Sequence, residues 1–299
     1  MSTPLLVTGT HRSGTTWAGR MLSLSSDVGY VHEPFDPTDR PGSCSGIFSR
    51  WYEHVQEPAP DVRRCVEAAL AFKYNPWPRL RTAGTRKHSP LRDVAGIGYT
   101  LVKSAVNRWR ERRPLMKDPL ALLSAEWLHE TFDMEVVILV RHPAAFAGSL
   151  KKGQSTFPFE DLLEQEKLMS SYLASYRSQI ESMIEGESTV VQQAALLWRC
   201  LYHVVSEYRA QYPSWHIVRY EDLVAEPRRR FRALYRQLEL PWSSKTGNTI
   251  EGRTKGKRRW QDRLTPPEID YVRRTTRDVW KKFYETETWR VESEGELKK

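Results

Sequence analysis

The chain has 299 residues, with 46 Lys+Arg against 37 Asp+Glu, a formal net charge of +9 and 39% hydrophobic residues. That length holds one large α/β domain or two small ones, and 11 Trp, 13 Tyr and 9 Phe supply a core that excludes a disordered chain. No segment approaches the roughly 20 apolar residues of a membrane span, and the positive excess fits an anionic ligand, an acidic membrane surface or nucleic acid.

The first apolar run, residues 5–7, leads into Gly9-Thr10-His11-Arg12-Ser13-Gly14-Thr15-Thr16-Trp17, after which Trp17, Met21 and Leu22 share one helical face. This order predicts strand, Gly-rich loop, helix. No basic segment precedes it, so no signal peptide is expected. A second strand covers Val28–His32 and stops at Glu33-Pro34. Residues 36–112 show weak periodicity, many Pro, Gly and Arg, and scattered aromatics such as Trp51, Tyr52 and Trp77. They read as an irregular insertion with short helices, forming an acceptor site or a lid.

Regular structure resumes with a strand at 114–117 and a helix at 120–131. The continuous apolar run 135–140 predicts a central parallel strand covered on both faces. Pro143 then opens a helix in its first turn. Long helices are expected at 160–185 and 189–211, the second apolar around much of its circumference and therefore buried. A strand at 216–220, a basic amphipathic helix at 227–238, a loop at 241–263 and a final helix at 267–283 follow. Thr265 and Glu268 form a capping box for that last helix. Cys44, Cys65 and Cys200 show no disulfide framework or zinc spacing. A reducing compartment, the cytoplasm, and no metal site are the corresponding expectations.

Strands alternating with helices predict an α/β fold of three layers, P-loop-like, with a central parallel sheet of about five strands flanked by helices. Residues 1–290 are read as a single domain and 291–299 as a charged tail. Ligands in such sheets bind beyond the carboxyl ends of the strands. Those ends carry the 9–16 loop, Glu33, Lys117, Arg141 and Tyr220.

Gly9-x4-Gly14-Thr15-Thr16 approaches the phosphate-binding pattern, whose backbone N–H groups and helix N-terminus cradle an anion. Position 15, where a nucleotide hydrolase carries lysine, is Thr15, and the cation is Arg12 inside the loop. Arg12-Ser13-Gly14-Thr15-Thr16-Trp17 resembles the 5′-phosphosulfate loop of the sulfotransferases that use 3′-phosphoadenosine 5′-phosphosulfate (PAPS). Val140-Arg141-His142-Pro143, with Ser149 eight residues beyond the arginine, resembles the same family's 3′-phosphate site. Arg219-Tyr220-Glu221-Asp222-Leu223 is similar to its Y-E-D-L segment. The run from Gly252 to Trp260, with Arg253, Lys255, Gly256 and Lys257, stands where the family places a basic loop over the 3′-phosphate, in a form that departs from the familiar one.

The resemblance implies binding of PAPS, with release of adenosine 3′,5′-bisphosphate, by Arg12, Ser13, Gly14, Thr15, Thr16, Trp17, Arg141, Ser149, Tyr220 and that basic loop. Trp17 would lie beside the adenine. The activity implied is sulfuryl transfer to a hydroxyl acceptor, and no metal is required. Cytosolic members carry a His two residues after a strand-end Lys. Here Lys117 is followed by Asp118 and Pro119, so that base is missing. Glu33 stands where carbohydrate sulfotransferases place a catalytic Glu, and it is the expected base, with Asp118 and His32 as alternatives. Lys117 and Arg12 would offset charge on the transferring group. A saccharide or glycoconjugate acceptor follows, a lipid or secondary metabolite being the alternative. No nucleic-acid partner is expected, and peripheral membrane contact stays open. The rival readings are a P-loop small-molecule kinase and a basic polyanion-binding module without catalysis.

Overall fold

The computed structural model describes residues 3–37, 44–57, 59–75, 90–254 and 260–289. The strands are β1 (Leu5–Gly9), β2 (Val28–His32), β3 (Arg113–Lys117), β4 (Glu135–Val140) and β5 (His216–Arg219). The early helices are α1 (Thr15–Leu22), α2 (Pro60–Leu70), α3 (Pro90–Trp109), α4 (Ala125–Phe132) and α5 (Pro143–Gly153). Then come α6 (Arg177–Glu185), α7 (Val190–Gln211), α8 (Tyr220–Ala225), α9 (Pro227–Gln237), α10 (Ser244–Arg253) and α11 (Pro266–Thr275).

The five strands form one parallel sheet in the order β2-β3-β1-β4-β5, flanked by helices. Its centre is buried on both faces, which is why β1 and β4 read as uninterrupted apolar runs: every residue of β1 is buried, as is all of β4 after Glu135. Placing β1 between β3 and β4 sets the carboxyl ends of the central strands side by side. Leu6 pairs with Met116 and Val136, and Gly9 with Leu139.

By packing, the chain divides into two compact units. The first is Met1–Leu139 with Trp215–Val218 and Asp222–Lys255, and it carries most of the sheet. In it α1 lies against β1 and β3, and α9 packs on α1 and α10. The second is Val140–Ser214 with Arg219–Glu221 and Gly256–Lys299. Its centre is α7, buried nearly all round, with α5 and α11 against it. The Thr189–Gln192 capping box opens α7, and the Thr265–Glu268 box expected from the sequence opens α11.

Four expectations are corrected. The segment 241–263, expected as a loop, contains α10. The insertion is not limited to short helices, because α3 runs for 20 residues. The helix expected over 160–185 is broken by a π-type turn, Met169–Leu173, and a 3-10 turn, Ala174–Tyr176, before α6. Cys44 and Cys65 are joined in a disulfide, with Cα atoms 4.9 Å apart, inside the usual range. They are 21 residues apart in the chain, and only the fold brings them together. The cytoplasmic placement thereby loses its support, since such bonds persist in oxidising compartments. No helix among the described residues is long and apolar enough to cross a membrane.

Candidate active site

The first unit carries the loop between β1 and α1. Gly9 adopts φ +143°, and a Cβ there would strike the Leu139 carbonyl oxygen and lie 2.9 Å from Ser13 Oγ. Only glycine fits this turn. Arg12 is left-handed at φ 65°, and Gly14, φ 99°, caps α1 with no side-chain hydrogen bond. Ser13 N–H donates to the Thr10 carbonyl at 3.0 Å, closing the turn. The loop therefore ends with the open N-terminus of an eight-residue helix, which favours an anion. The Ser13 hydroxyl is buried with no hydrogen-bond partner among the described residues. A buried hydroxyl left unmade costs about 1–3 kcal/mol, which an arriving anion would recover. Arg12 and Thr16 are exposed, while Thr15 is buried. Trp17 is half-buried and meets Phe231 of α9 edge-on, 5.2 Å between centroids. A Gly9→Ala chain is expected to lose about 2 kcal/mol or more of stability, read by denaturant unfolding, because the new methyl has nowhere to go.

Two loop supports are invisible in the motif. The His11 backbone N–H donates to the Tyr52 hydroxyl oxygen at 2.9 Å, and His11 Nδ1 sits 2.6 Å from that same oxygen. The hydroxyl accepts one bond and donates the other, so Tyr52, from the insertion, holds the loop apex. Burial, and then Arg12, lower His11 to about 4, keeping the imidazole neutral. The second support is Gly19. A Cβ there would stand 3.0 Å from Lys117 Cγ and 3.2 Å from Tyr30 Cε2, so this glycine lets the lysine stem pass under α1.

Lys117 is fully buried, and its Nζ donates to Glu33 Oε1. The β2–β3 register creates the pair: His32 stands opposite Lys117, and the Glu33 N–H donates to the Lys117 carbonyl at 2.9 Å. Glu33 then turns left-handed at φ 44°. Its side chain is 14% exposed, so the carboxylate is the open end of an otherwise buried pair. His32 Nε2 lies 3.8 Å from Glu33 Oε2. Asp118 is buried and points the other way, accepting from Phe35 N–H at 2.6 Å and Leu120 N–H at 2.9 Å. Burial pushes its carboxyl up to about 7. Both its oxygens serve turns after β2 and β3, a shaping role.

The second unit carries the Arg141 segment. Trp198 Nε1 donates to the Arg141 carbonyl at 2.8 Å, and the Arg141 N–H donates to the Tyr202 hydroxyl at 3.3 Å. Two aromatic residues one turn apart on α7 thus fix the backbone of the residue after β4. The guanidinium lies over the Tyr220 ring, 5.0 Å from its centroid. Ser149 is half-buried on α5. Glu221 is half-buried, accepts from the His142 N–H at 3.0 Å and from the Tyr284 hydroxyl at 2.8 Å, and is raised by desolvation. Arg253 is exposed at the end of α10, and Lys255, Gly256 and Lys257 lie outside the described residues.

His142 sits among Trp260, Tyr284 and Trp289, stacked on Trp260 at 5.3 Å and 12°. Neither ring nitrogen has a hydrogen-bond partner among the described residues, and burial drops the imidazole to about 3. The folded chain therefore binds fewer protons here than the unfolded chain, whose histidine titrates near 6.5. Stability from this group is complete above about pH 6.5 and is lost as pH falls from there toward 3. His142→Phe should flatten the dependence of melting temperature on pH between about 6.5 and 4. An unchanged slope would remove His142 as the source.

The sequence points to the loop, Glu33, Lys117 and Arg141 as candidates. It missed Tyr52, Gly19, Trp198 and Tyr202, which do not bear charge at a strand end and act only through long-range contacts. No group of three or more His, Cys, Asp or Glu that could hold a metal occurs among the described residues.

A sulfotransferase family model matches residues 4–244. No curated protein matches the sequence. Among solved structures, the sulfotransferase domain from the curacin biosynthetic pathway is 17% identical, covering 82% of this chain and 77% of its own, with a TM-score of 0.44. The sulfotransferase domain of the Synechococcus olefin synthase is 14% identical over 96% and 90%, TM-score 0.41. A sulfotransferase from Mycobacterium tuberculosis is 19% identical over 92% and 76%, TM-score 0.42. The family match takes in both β1 with its loop and the segment from β4 to α9, and on it the chain belongs to the sulfotransferase family and is a sulfotransferase enzyme.

Proposed function

We propose that the chain transfers a sulfuryl group from PAPS to a hydroxyl of a saccharide or glycoconjugate. The observation that carries this reading is the Glu33–Lys117 pair: a fully buried ammonium on a carboxylate that keeps an open edge, at neighbouring strand ends. The loop supports the donor, since the buried Ser13 hydroxyl behind the N-terminus of α1 has no hydrogen-bond partner among the described residues. When bound, the donor supplies a sulfuryl group on a weakly basic phosphate leaving group. Arg12, Ser13, Gly14, Thr15 and Thr16 would hold the 5′-phosphosulfate, with Trp17 beside the base. Arg141 and Ser149 of the second unit would hold the 3′-phosphate. Tyr220 keeps the guanidinium flat for a bidentate grip. Arg253, Lys255, Gly256 and Lys257 form the remaining basic segment.

Glu33 takes the acceptor proton. Its Oε1 accepts from Lys117, and the carboxylate is reached by solvent at the strand end, where a hydroxyl would approach. Lys117, with Arg12, offsets charge that grows on the transferring group. A carbohydrate acceptor follows from the use of a Glu base in place of the missing His. Incubation with donor labelled in its sulfur and a panel of saccharides, sterols, lipids and phenols tests this. Label on saccharides is the expected result, and label confined to lipids or phenols would overturn the acceptor class.

A further inference from the structure

Helix α9 has one apolar and one basic face. Phe231, Leu234 and Tyr235 are buried, and the Tyr235 hydroxyl donates to the Met21 carbonyl at 2.7 Å. The outward face carries Arg228, Arg229, Arg232 and Arg236, and with Leu240 and Trp242 these line a cleft of about 830 Å³. Positions 228, 232 and 236 are one turn apart, so the row extends roughly 12 Å at a rise of about 1.5 Å per residue.

The charges in this row are unequally matched. Arg228 is held by Glu251 at 3.0 Å and Asn248 at 2.9 Å, and Arg229 by Glu226 at 2.6 Å. Arg232 and Arg236 have no ion pair among the described residues and are exposed. Like charges four residues apart weaken a helix by a few tenths of a kcal/mol, a cost that an anion in the cleft removes. The wall is built closely. A Cβ on Gly247 would stand 3.1 Å from Trp242 Cζ2 and 3.2 Å from Arg228 Nε, so that glycine lets ring and guanidinium share the wall. Trp242 is itself braced edge-on against Tyr235, 5.0 Å away.

We propose that this cleft is an anion-binding exosite for a sulfate- or carboxylate-bearing oligosaccharide, with Arg232 and Arg236 gripping successive anionic groups and Trp242 stacking on a sugar ring. The choice of sugar rests on the saccharide reading given above, while the anion site rests on the cleft alone. A linear row of guanidinium groups suits a repeating anionic chain better than a single phosphate. A lipid surface fits poorly, because Leu240 is buried and Trp242 half-buried within the cleft, leaving no protruding apolar side chain to insert. One aromatic ring also falls short of the successive stacking platforms that single-stranded nucleic acid uses.

The test is calorimetric titration of the full chain with a heparin-derived hexasaccharide, with and without saturating adenosine 3′,5′-bisphosphate, across a salt series. Wild type should bind in both conditions. Arg232→Gln/Arg236→Gln should weaken binding at least tenfold and flatten its salt dependence, with bisphosphate affinity and melting temperature unchanged. Trp242→Leu should weaken hexasaccharide binding and leave its salt dependence in place. No binding by wild type, or equal binding by the double variant, would overturn the exosite. Tighter binding of single-stranded RNA or of anionic phosphatidylserine vesicles through the same arginines would overturn the sugar assignment. Failure of the bisphosphate alone to bind would count against the donor reading and leave the exosite standing.

Discussion

Glu33→Gln should lower kcat about 100- to 10,000-fold, the usual range for removing a general base, while the affinity for adenosine 3′,5′-bisphosphate stays within about twofold. Glutamine suits the test because its amide oxygen still accepts the Lys117 ammonium that Glu33 Oε1 accepts now, so the strand ends keep their shape. What disappears is the ability of the second oxygen to take a proton. Asp118 is the nearest rival, and its carboxyl, pushed up to about 7, titrates in a catalytic range. Yet it is fully buried, with both oxygens accepting from the Phe35 and Leu120 N–H groups, so an acceptor hydroxyl has no approach to it. Turnover above about a tenth of wild type in Glu33→Gln would remove Glu33 as the base.

Lys117→Ala should fail in two ways at once. Turnover should collapse if Lys117 offsets charge on the transferring group as proposed. The fold should lose about 3 kcal/mol, because the partner carboxylate is left uncompensated and a cavity opens under Gly19. The two causes separate in the double variant Lys117→Met/Glu33→Gln, which fills the space with an apolar stem and removes the orphaned charge. Denaturant unfolding should show most of the stability restored, and turnover should remain absent. A double variant that regained activity would mean that the pair is structural only.

The sheet was legible in the sequence because its centre is buried on both faces, which leaves continuous runs such as Leu5-Leu6-Val7 and Val136 to Val140. The loop was legible because Gly9 and Gly14 occupy conformations that other residues avoid. Helix α7 announced itself through apolar residues around much of its circumference. The same reasoning fails for α3. Tyr99, Val102 and Trp109 are exposed, so its apolar residues do not collect on a buried stripe. The break at Met169–Leu173 contains no Pro or Gly to mark it. Long-range supports were equally hidden: Tyr52 meets His11 across 41 residues and Trp198 meets Arg141 across 57. In both cases the aromatic reads as ordinary core until the fold supplies its partner.

The donor is the centre of the account, and binding of the product nucleotide tests it most directly. Purified protein would be titrated with adenosine 3′,5′-bisphosphate, with ATP and magnesium as the control, following the melting temperature. At a hundredfold excess over Kd, binding adds about 2.7 kcal/mol of stability. Stabilisation by the bisphosphate and none by ATP is the expected result, and it should vanish in Arg12→Ala and Arg141→Ala. No shift with either nucleotide in folded protein, or a shift with ATP alone, would contradict the account.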